Sequence, residues 1–171
     1  QAKADLFISL HANGSANPKS YGTETLVLGL HRSNENFEVA KRENSVILLE
    51  EDHSTRYENF DPNSPESYII FSLMQNIYDN QSVGFAGKVQ DQFRERVHRR
   101  DRGVKRQGLL VLAQTSMPGV LVETSFITNP DEEAYLTSTQ GQEYLASAIY
   151  RAFKDYKNEI EAMSVTDIEH A

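Results

Sequence analysis

A carboxylate stands directly after an apolar, β-branched run in the second half of the chain. Residues 120–122 read Val-Leu-Val, follow a Pro-Gly pair and lead into Glu123. A run of this kind, bounded by turn residues, predicts an internal strand of an α/β sheet that ends at Glu123. Open α/β folds place ligands at the carboxyl ends of their strands. Glu123 is therefore a candidate functional residue at a ligand site, and the alternative is a Glu that marks the exit of the strand to solvent.

The segment after this strand carries a helix-start signal, and an earlier apolar run ends on a histidine. Asn129 is predicted as an N-cap, with Pro130 at the first helical position. Near the start of the chain, residues 6–10 predict another strand, followed by His11 and Asn13. A histidine at such a place is either a metal ligand or a hydrogen-bonded structural residue. Asn13 either orients that ligand or contacts substrate, or is only a turn residue.

Together, the segments ADLFISLHAN (4–13) and VLVETSFITNPDEE (120–133) resemble the zinc-dependent N-acetylmuramoyl-L-alanine amidases, which cut the bond between peptidoglycan glycan and its stem peptide. The stretches GTET (22–25) and RGVKRQGLLVL (102–112) agree with that family, and the likeness runs from about residue 4 to 156. The resemblance implies a zinc ligand at His11, a catalytic carboxylate at Glu123 and a periplasmic, cell-envelope location. Zinc lowers the pKa of a bound water to ~7, and a nearby Glu can take its proton.

The sequence departs from the family pattern at its start. In the family, a first His and a Glu ligand lie upstream of the strand that leads to His11, and this sequence begins only a few residues before that strand. We therefore expect a piece of a longer protein, whose residues alone bind zinc weakly or not at all. None of the other histidines is expected to bind zinc: His31, His53, His98 and His170. The alternative function is a non-catalytic peptidoglycan-binding or regulatory module that has lost its metal.

Length and composition predict one domain, expected over residues 1–163. The tail at 164–171 lacks periodicity and is expected to be mobile, and the resemblance implies an insertion at about 33–66. The net charge of −8 and the pI near 5.1 argue against a nucleic-acid binder. Residues 88–106 are locally basic; they are expected to form the solvated face of a helix and a loop, or else to contact anionic glycan or stem-peptide carboxylates. Cysteine is absent, so disulfides are excluded, and no apolar stretch approaches the ~20 residues of a membrane span.

The order of the predicted elements indicates an α/β fold with a largely parallel sheet flanked by helices. Strands are expected at residues 6–10, 24–28, 109–112 and 120–122. A helix is expected to start at Ser64-Pro65 and to run to Ile77. The apolar stripes of two further helices, read at helical spacing, comprise Ala86, Val89, Phe93 and Val97, and then Leu145, Ala148, Ile149, Ala152, Phe153 and Tyr156.

The insertion is predicted to contain a charged helix at residues 35–52 and a long polar loop at 52–65. The motif AKREN (40–44), followed by apolar residues and a long insertion, resembles the regulated envelope amidases of Gram-negative bacteria. In those proteins an inserted helix covers the zinc cleft until an activator protein moves it. By that resemblance the candidate inhibitory carboxylates are Glu43, Glu50 and Glu51. The apolar residues 46–49 are then expected to pack partly against the cleft. The alternative is a surface helix without a role.

Overall fold

The computed structural model describes residues 3–30, 34–57, 60–69, 71 and 78–169. The strands are β1 (Phe7–Asn13), β2 (Thr23–Leu28), β3 (Asp101–Gln107) and β4 (Gly119–Phe126). The α-helices are α1 (Asn34–Asn44), α2 (His53–Arg56), α3 (Asp79–Arg96), α4 (Leu110–Ala113), α5 (Pro130–Thr137) and α6 (Thr139–Glu169), and the 3₁₀-helices are Ser45–Leu49 and Pro65–Ile69.

The four strands form one sheet in the order β1-β4-β2-β3. β1 is parallel to β4 and β2 is parallel to β3, whereas β2 runs antiparallel to β4. The α/β class with a largely parallel sheet is thus confirmed, with one antiparallel junction. Because of that junction, the start of β2 lies at the same edge as the ends of β1 and β4, so polar residues of three strands meet there.

A hydrophobic core lies on each face of this sheet. On one face, α3 and α6 cover the alternating apolar residues of β2 and β4, and most of their predicted stripes are buried. Phe153 is an exception, since it is 37% exposed. On the other face, Leu26 and Leu121 pack against Tyr68, Phe71 and Ala40 of α1. Helix α1 is therefore attached to the sheet through the second core.

The predicted strand at residues 109–112 is wrong. Leu110–Ala113 is one helical turn, α4, in which Leu112 is buried, and the preceding N-cap residue Leu109 is buried too. A short apolar run cannot be assigned to helix or strand by periodicity alone. The strand lies earlier, at Asp101–Gln107, and its charged residues do not give the apolar pattern that predicts a strand. An edge strand tolerates charged residues because it has a neighbouring strand on one side only.

The basic run at residues 88–106 is mostly neutralised by ion pairs within the chain. The residues of the run that pair with a carboxylate are Lys88, Arg94, Arg99, Arg102, Lys105 and Arg106. The expectation of a solvated helix face followed by a loop is therefore wrong for its second half, which is a paired strand. Among the described helices, each is too short or too polar to cross a membrane.

Three other predicted boundaries differ from those in the structure. The helix predicted at residues 35–52 ends at Asn44 and continues as the 3₁₀-helix Ser45–Leu49. The helix predicted from Ser64 begins as the 3₁₀-helix Pro65–Ile69, and its continuation to Ile77 falls largely outside the described residues. Helix α6 runs on to Glu169, past the expected end of the domain at residue 163. The domain limits and the mobility of the tail stay predictions.

Candidate active site

His11, Glu123 and Glu24 stand side by side on three neighbouring strands. His11 of β1 is the register partner of Glu123 of β4, and Glu123 is in turn the partner of Glu24 of β2. The prediction that β4 ends at Glu123 is wrong, because the strand continues to Phe126 and is buried throughout. The carboxylate is therefore part of the sheet interior and not an exit to solvent.

Glu123 is a fully buried carboxyl group without a hydrogen-bond partner. Neither of its oxygen atoms accepts a hydrogen bond from any described residue. Burial, together with the nearby charge of Glu43, raises its pKa to about 8. An unpaired buried carboxyl with a strongly shifted pKa is a feature of functional sites, since a structural role would have given it donors.

Glu43 of α1 reaches this edge of the sheet from the insertion. Its Oε2 lies 2.9 Å from Nδ1 of His11, and its Oε1 accepts from Nε of Arg42 at 3.1 Å. The hydrogen bond with Glu43 raises the pKa of His11. Burial opposes the ionisation of Glu43, but the hydrogen bonds from His11 and Arg42 prevail, so its pKa lies below the usual value.

These three side chains form a group that can hold a metal ion. His11, Glu43 and Glu123 each offer one ligand atom, and the three atoms lie within 4.8 Å of one another. One imidazole and two carboxylates suit a divalent cation such as zinc, and the partnerless oxygens of Glu123 can either bind that ion or accept a proton from a water beside it. The sequence predicted His11 and at most Glu123 as ligands. The resemblance also named Glu43, together with Glu50 and Glu51, as a candidate inhibitory carboxylate, and only the fold shows which of these three approaches His11.

The other candidates lie elsewhere. His53 contacts the carbonyl oxygen of Glu50, and His98 is exposed; neither joins the cluster. His31 and His170 fall outside the described residues. Glu50 lines the same cavity of about 270 Å³ as His11 and Glu43, but its carboxylate accepts from Arg56 and Tyr57. Glu51 is exposed on the surface.

Residues 46–49 contribute less to the cavity wall than predicted. Ile47 is buried and lines the cavity, and Val46 lines it while remaining 60% exposed. Leu48 and Leu49 point largely to solvent, with 46% and 84% exposure. The packing expected of all four residues is therefore wrong for Leu48 and Leu49.

Asn13 is a buried member of the site and not a turn residue. It is the last residue of β1, and its Nδ2 donates to Oε1 of Glu24 at 2.9 Å. Its Oδ1 accepts from Nη2 of Arg42, also at 2.9 Å. The sequence alone did not identify Glu24 as a site residue. The feature that could have indicated it is a charged residue at the start of an otherwise apolar strand, in the GTET stretch.

The helix-start signal after β4 has a structural role. Asn129 caps α5, since its side chain accepts from the backbone N–H groups of Asp131 and Glu132, as predicted. Glu132 is buried and accepts from the backbone N–H of Gly22, from Ser125 and from Arg99. This carboxylate ties the loop before β2 to the end of β4 and does not contact the His11 cluster.

Residues 1–155 match the family described as N-acetylmuramoyl-L-alanine amidase. The chain belongs to this amidase family. It is 30% identical over 155 residues to the amidase AmiA of Salmonella typhimurium, covering 90% of this chain and 52% of the relative. It is 25% identical over 158 residues to AmiC of Escherichia coli O6:H1, covering 90% and 36%. The chain thus spans about half, or less, of the length of these curated relatives.

Solved amidase structures share the fold. The amidase of Clostridium difficile 630 superposes with a TM-score of 0.61 at 22% identity, covering 91% of this chain and 59% of that one. The CwlD amidase of Clostridioides difficile, solved with the GerS lipoprotein, gives 0.59 at 19% identity, covering 92% and 56%. In the present chain, the part that matches the family contains His11, Glu43 and Glu123.

Proposed function

We propose that the full-length protein hydrolyses the amide bond between N-acetylmuramic acid and the L-alanine of the peptidoglycan stem peptide, with zinc as its cofactor. Family membership supports the substrate class. The observation that carries the proposal is the cluster of His11, Glu43 and Glu123, in which Glu123 is buried without a partner. A structural cluster would have satisfied that carboxyl group.

In this proposal His11 binds the cation and Glu123 is the general base. When bound, zinc supplies a Lewis acid that lowers the pKa of a neighbouring water to ~7. Glu123 takes the proton of the attacking water and returns it to the departing amine, as a carboxylate of raised pKa is suited to do. Because Glu123 is buried in β4, bulk water has little access to the proton during the transfer.

We propose further that α1 covers this site in the resting protein. Glu43 occupies the side of His11 that faces the cleft, and its oxygen is a ligand atom for the same cation. An inhibitory carboxylate at this place keeps water and substrate away. Asn13, whose Oδ1 is held by Arg42 in this arrangement, would be released to accept a hydrogen bond from a substrate amide when α1 moves.

Such a covered site requires an activator. We propose a protein partner that displaces the inserted helix, and a periplasmic location where peptidoglycan is reached. The reaction would then serve cell-wall remodelling or the separation of daughter cells. Glu50 and Glu51 are not needed for the inhibition, because Glu50 is already held by Arg56 and Tyr57, and Glu51 is exposed.

The experiment is a digestion of purified peptidoglycan by the full-length protein, with and without removal of α1 and the following 3₁₀-helix. The expected products are free stem peptides that begin with L-alanine, identified by mass spectrometry, and their release should stop when the metal is chelated and return with zinc. Glycan fragments with intact peptides would contradict the proposed bond. Binding without any cleavage, in both forms, would favour a non-catalytic peptidoglycan-binding module.

A further inference from the structure

Glu24 is a buried carboxylate whose hydrogen-bonding positions face three donors. It is 2% exposed and stands opposite Glu123 in the sheet. Its Oε2 accepts from Nζ of Lys105 at 2.6 Å and from Nε of Arg102 at 3.2 Å. Its Oε1 accepts from Nδ2 of Asn13 at 2.9 Å. Because an ionised carboxylate only accepts hydrogen bonds, Asn13 must present its amide N–H group to it.

This contact decides which way the Asn13 amide points. With Nδ2 directed at Glu24, Oδ1 is directed away from the sheet, and Nη2 of Arg42 donates to it at 2.9 Å. The same guanidinium donates from Nη1 to the carbonyl oxygen of Gly14 at 2.8 Å and contacts Glu43. A continuous series of hydrogen bonds therefore runs from Glu24 through Asn13 and Arg42 to the carboxylate beside His11.

We propose that Glu24 is a positioning residue that fastens α1 over the active site by fixing the orientation of the Asn13 amide. The inference rests on the proposed function, in which α1 is the cover. Glu24 contacts neither His11 nor Arg42 through any described hydrogen bond, so it acts on α1 through Asn13. Arg42 is the only residue of α1 described as bonded to the Asn13–Gly14 end of β1.

The carboxylate form of residue 24 is essential to this arrangement. In Glu24→Gln, the carbonyl oxygen of the new side chain would turn to Lys105 and Arg102, which are donors only. Its NH₂ group would then face Asn13 and force the Asn13 amide to present Oδ1 to it. Nδ2 of Asn13 would meet the guanidinium of Arg42, and two donors repel each other. Replacing one carboxylate oxygen of residue 24 by NH₂ thus removes the hydrogen bond between Asn13 and Arg42 and weakens the hold on this end of α1.

The test measures hydrogen exchange of the α1 amides in the full-length protein by mass spectrometry. Glu24→Gln should accelerate this exchange by about tenfold or more, because a hydrogen bond to a charged group is among the stronger ones. The control is Glu132→Gln, which alters another buried, cation-paired carboxylate at the same sheet edge without touching Asn13. It should leave α1 exchange at the parent rate. Equal acceleration in both variants would overturn the proposal.

A double-mutant cycle separates positioning from a general loss of stability. If Glu24 acts through Arg42, then Glu24→Gln combined with Arg42→Ala should exchange no faster than Arg42→Ala alone, whereas independent effects would add. Additive effects would overturn the proposal. Should Glu24→Gln fail to fold, Asn13→Ala tests the same link, and unchanged α1 exchange in that variant would overturn it.

The same variants distinguish this inference from the proposed function. If α1 exchange rises in Glu24→Gln while basal peptidoglycan hydrolysis stays at the parent level, the positioning role stands and the covering role of α1 fails. If deletion of α1 raises hydrolysis but Glu24→Gln leaves α1 exchange unchanged, the covering role stands and the positioning role of Glu24 fails.

Discussion

Nδ1 of His11 on β1 lies 2.9 Å from Oε2 of Glu43 on α1. The two residues belong to different parts of the fold, one to the sheet and the other to the insertion between β2 and α3. Their contact places an ionised carboxylate directly on the proposed zinc ligand, beside the buried Glu123. The three side chains thus form a candidate metal site together with its proposed cover, and the role of each can be tested separately.

Replacing Glu123 by Gln should preserve the shape of the site and remove its proton acceptor. Hydrolysis by the activated full-length protein should fall by ~10²–10⁴-fold, the usual contribution of general acid–base catalysis. Zinc content, measured by elemental analysis, should not change. The exposed Glu133→Gln is the control. Activity within a few-fold of the parent would contradict the role of Glu123 as base.

His11→Ala should abolish both zinc binding and hydrolysis, because the variant lacks the imidazole ligand of the cluster. His53→Ala removes a histidine outside the cluster and should retain both. Zinc stoichiometry by elemental analysis and release of stem peptides are the two measurements. A His11→Ala protein that keeps a full equivalent of zinc would refute the ligand assignment.

Glu43→Gln should raise basal hydrolysis in the absence of an activator. The neutral amide lacks the charge that strengthens the hydrogen bonds of Glu43 with His11 and Arg42, so the contact of α1 with His11 weakens. Glu51→Gln, on the exposed side of the insertion, should have no effect. If Glu43→Gln instead lowers zinc content and activity together, then Glu43 is a permanent ligand and not an inhibitory one.

Ile47 and Leu48 form a matched pair for testing the cover. Ile47 is buried and lines the cavity, whereas Leu48 is 46% exposed. Ile47→Asn should weaken the closed arrangement, because burying an unpaired amide costs about 1–3 kcal/mol, and basal hydrolysis should rise by about tenfold. Leu48→Asn should change it little. Equal rates for the two variants, with intact circular dichroism, would contradict packing of Ile47 as a determinant of closure.

Asp79 and Arg106 provide a pH-dependent contribution to stability away from the active site. Arg106 donates two hydrogen bonds to Asp79, and these hold the pKa of Asp79 below its usual value. The stabilisation is therefore complete above the pKa of the unfolded chain and is lost as the pH falls through the lower, folded value. Asp79→Asn should cost about 1 kcal/mol at pH 7.

The loss of unfolding free energy caused by Asp79→Asn should shrink below about pH 4, where Asp79 binds a proton in the unfolded parent before it does so in the folded one. Urea unfolding at neutral and acidic pH measures both values. Asp155→Asn, at an exposed position of α6, serves as the control for removal of one negative charge. A loss that stays constant across this range would show that the ion pair is not its cause.

Local sequence determined the elements that bury a regular apolar face. Side-chain spacing and helix capping act over a few positions, so neighbouring residues were enough to predict several elements. These are the strands around Phe7–Asn13 and Thr23–Leu28, the apolar stripes of α3 and α6, and the cap at Asn129. The family, and His11 and Glu123 as candidate site residues, followed from short motifs whose residues are likewise contiguous.

Tertiary structure alone decided how those residues meet. Charged β3 was missed because its charges are neutralised by partners distant in sequence, such as Glu24 and Asp79. The central position of Glu123 in its strand depends on β1 and β2 flanking it. The approach of Glu43 to His11 depends on the hydrophobic core that packs Ala40 of α1 against Leu26 and Leu121 of the sheet. Ion pairs, strand order and the packing of an insertion are long-range interactions, and no local pattern encodes them.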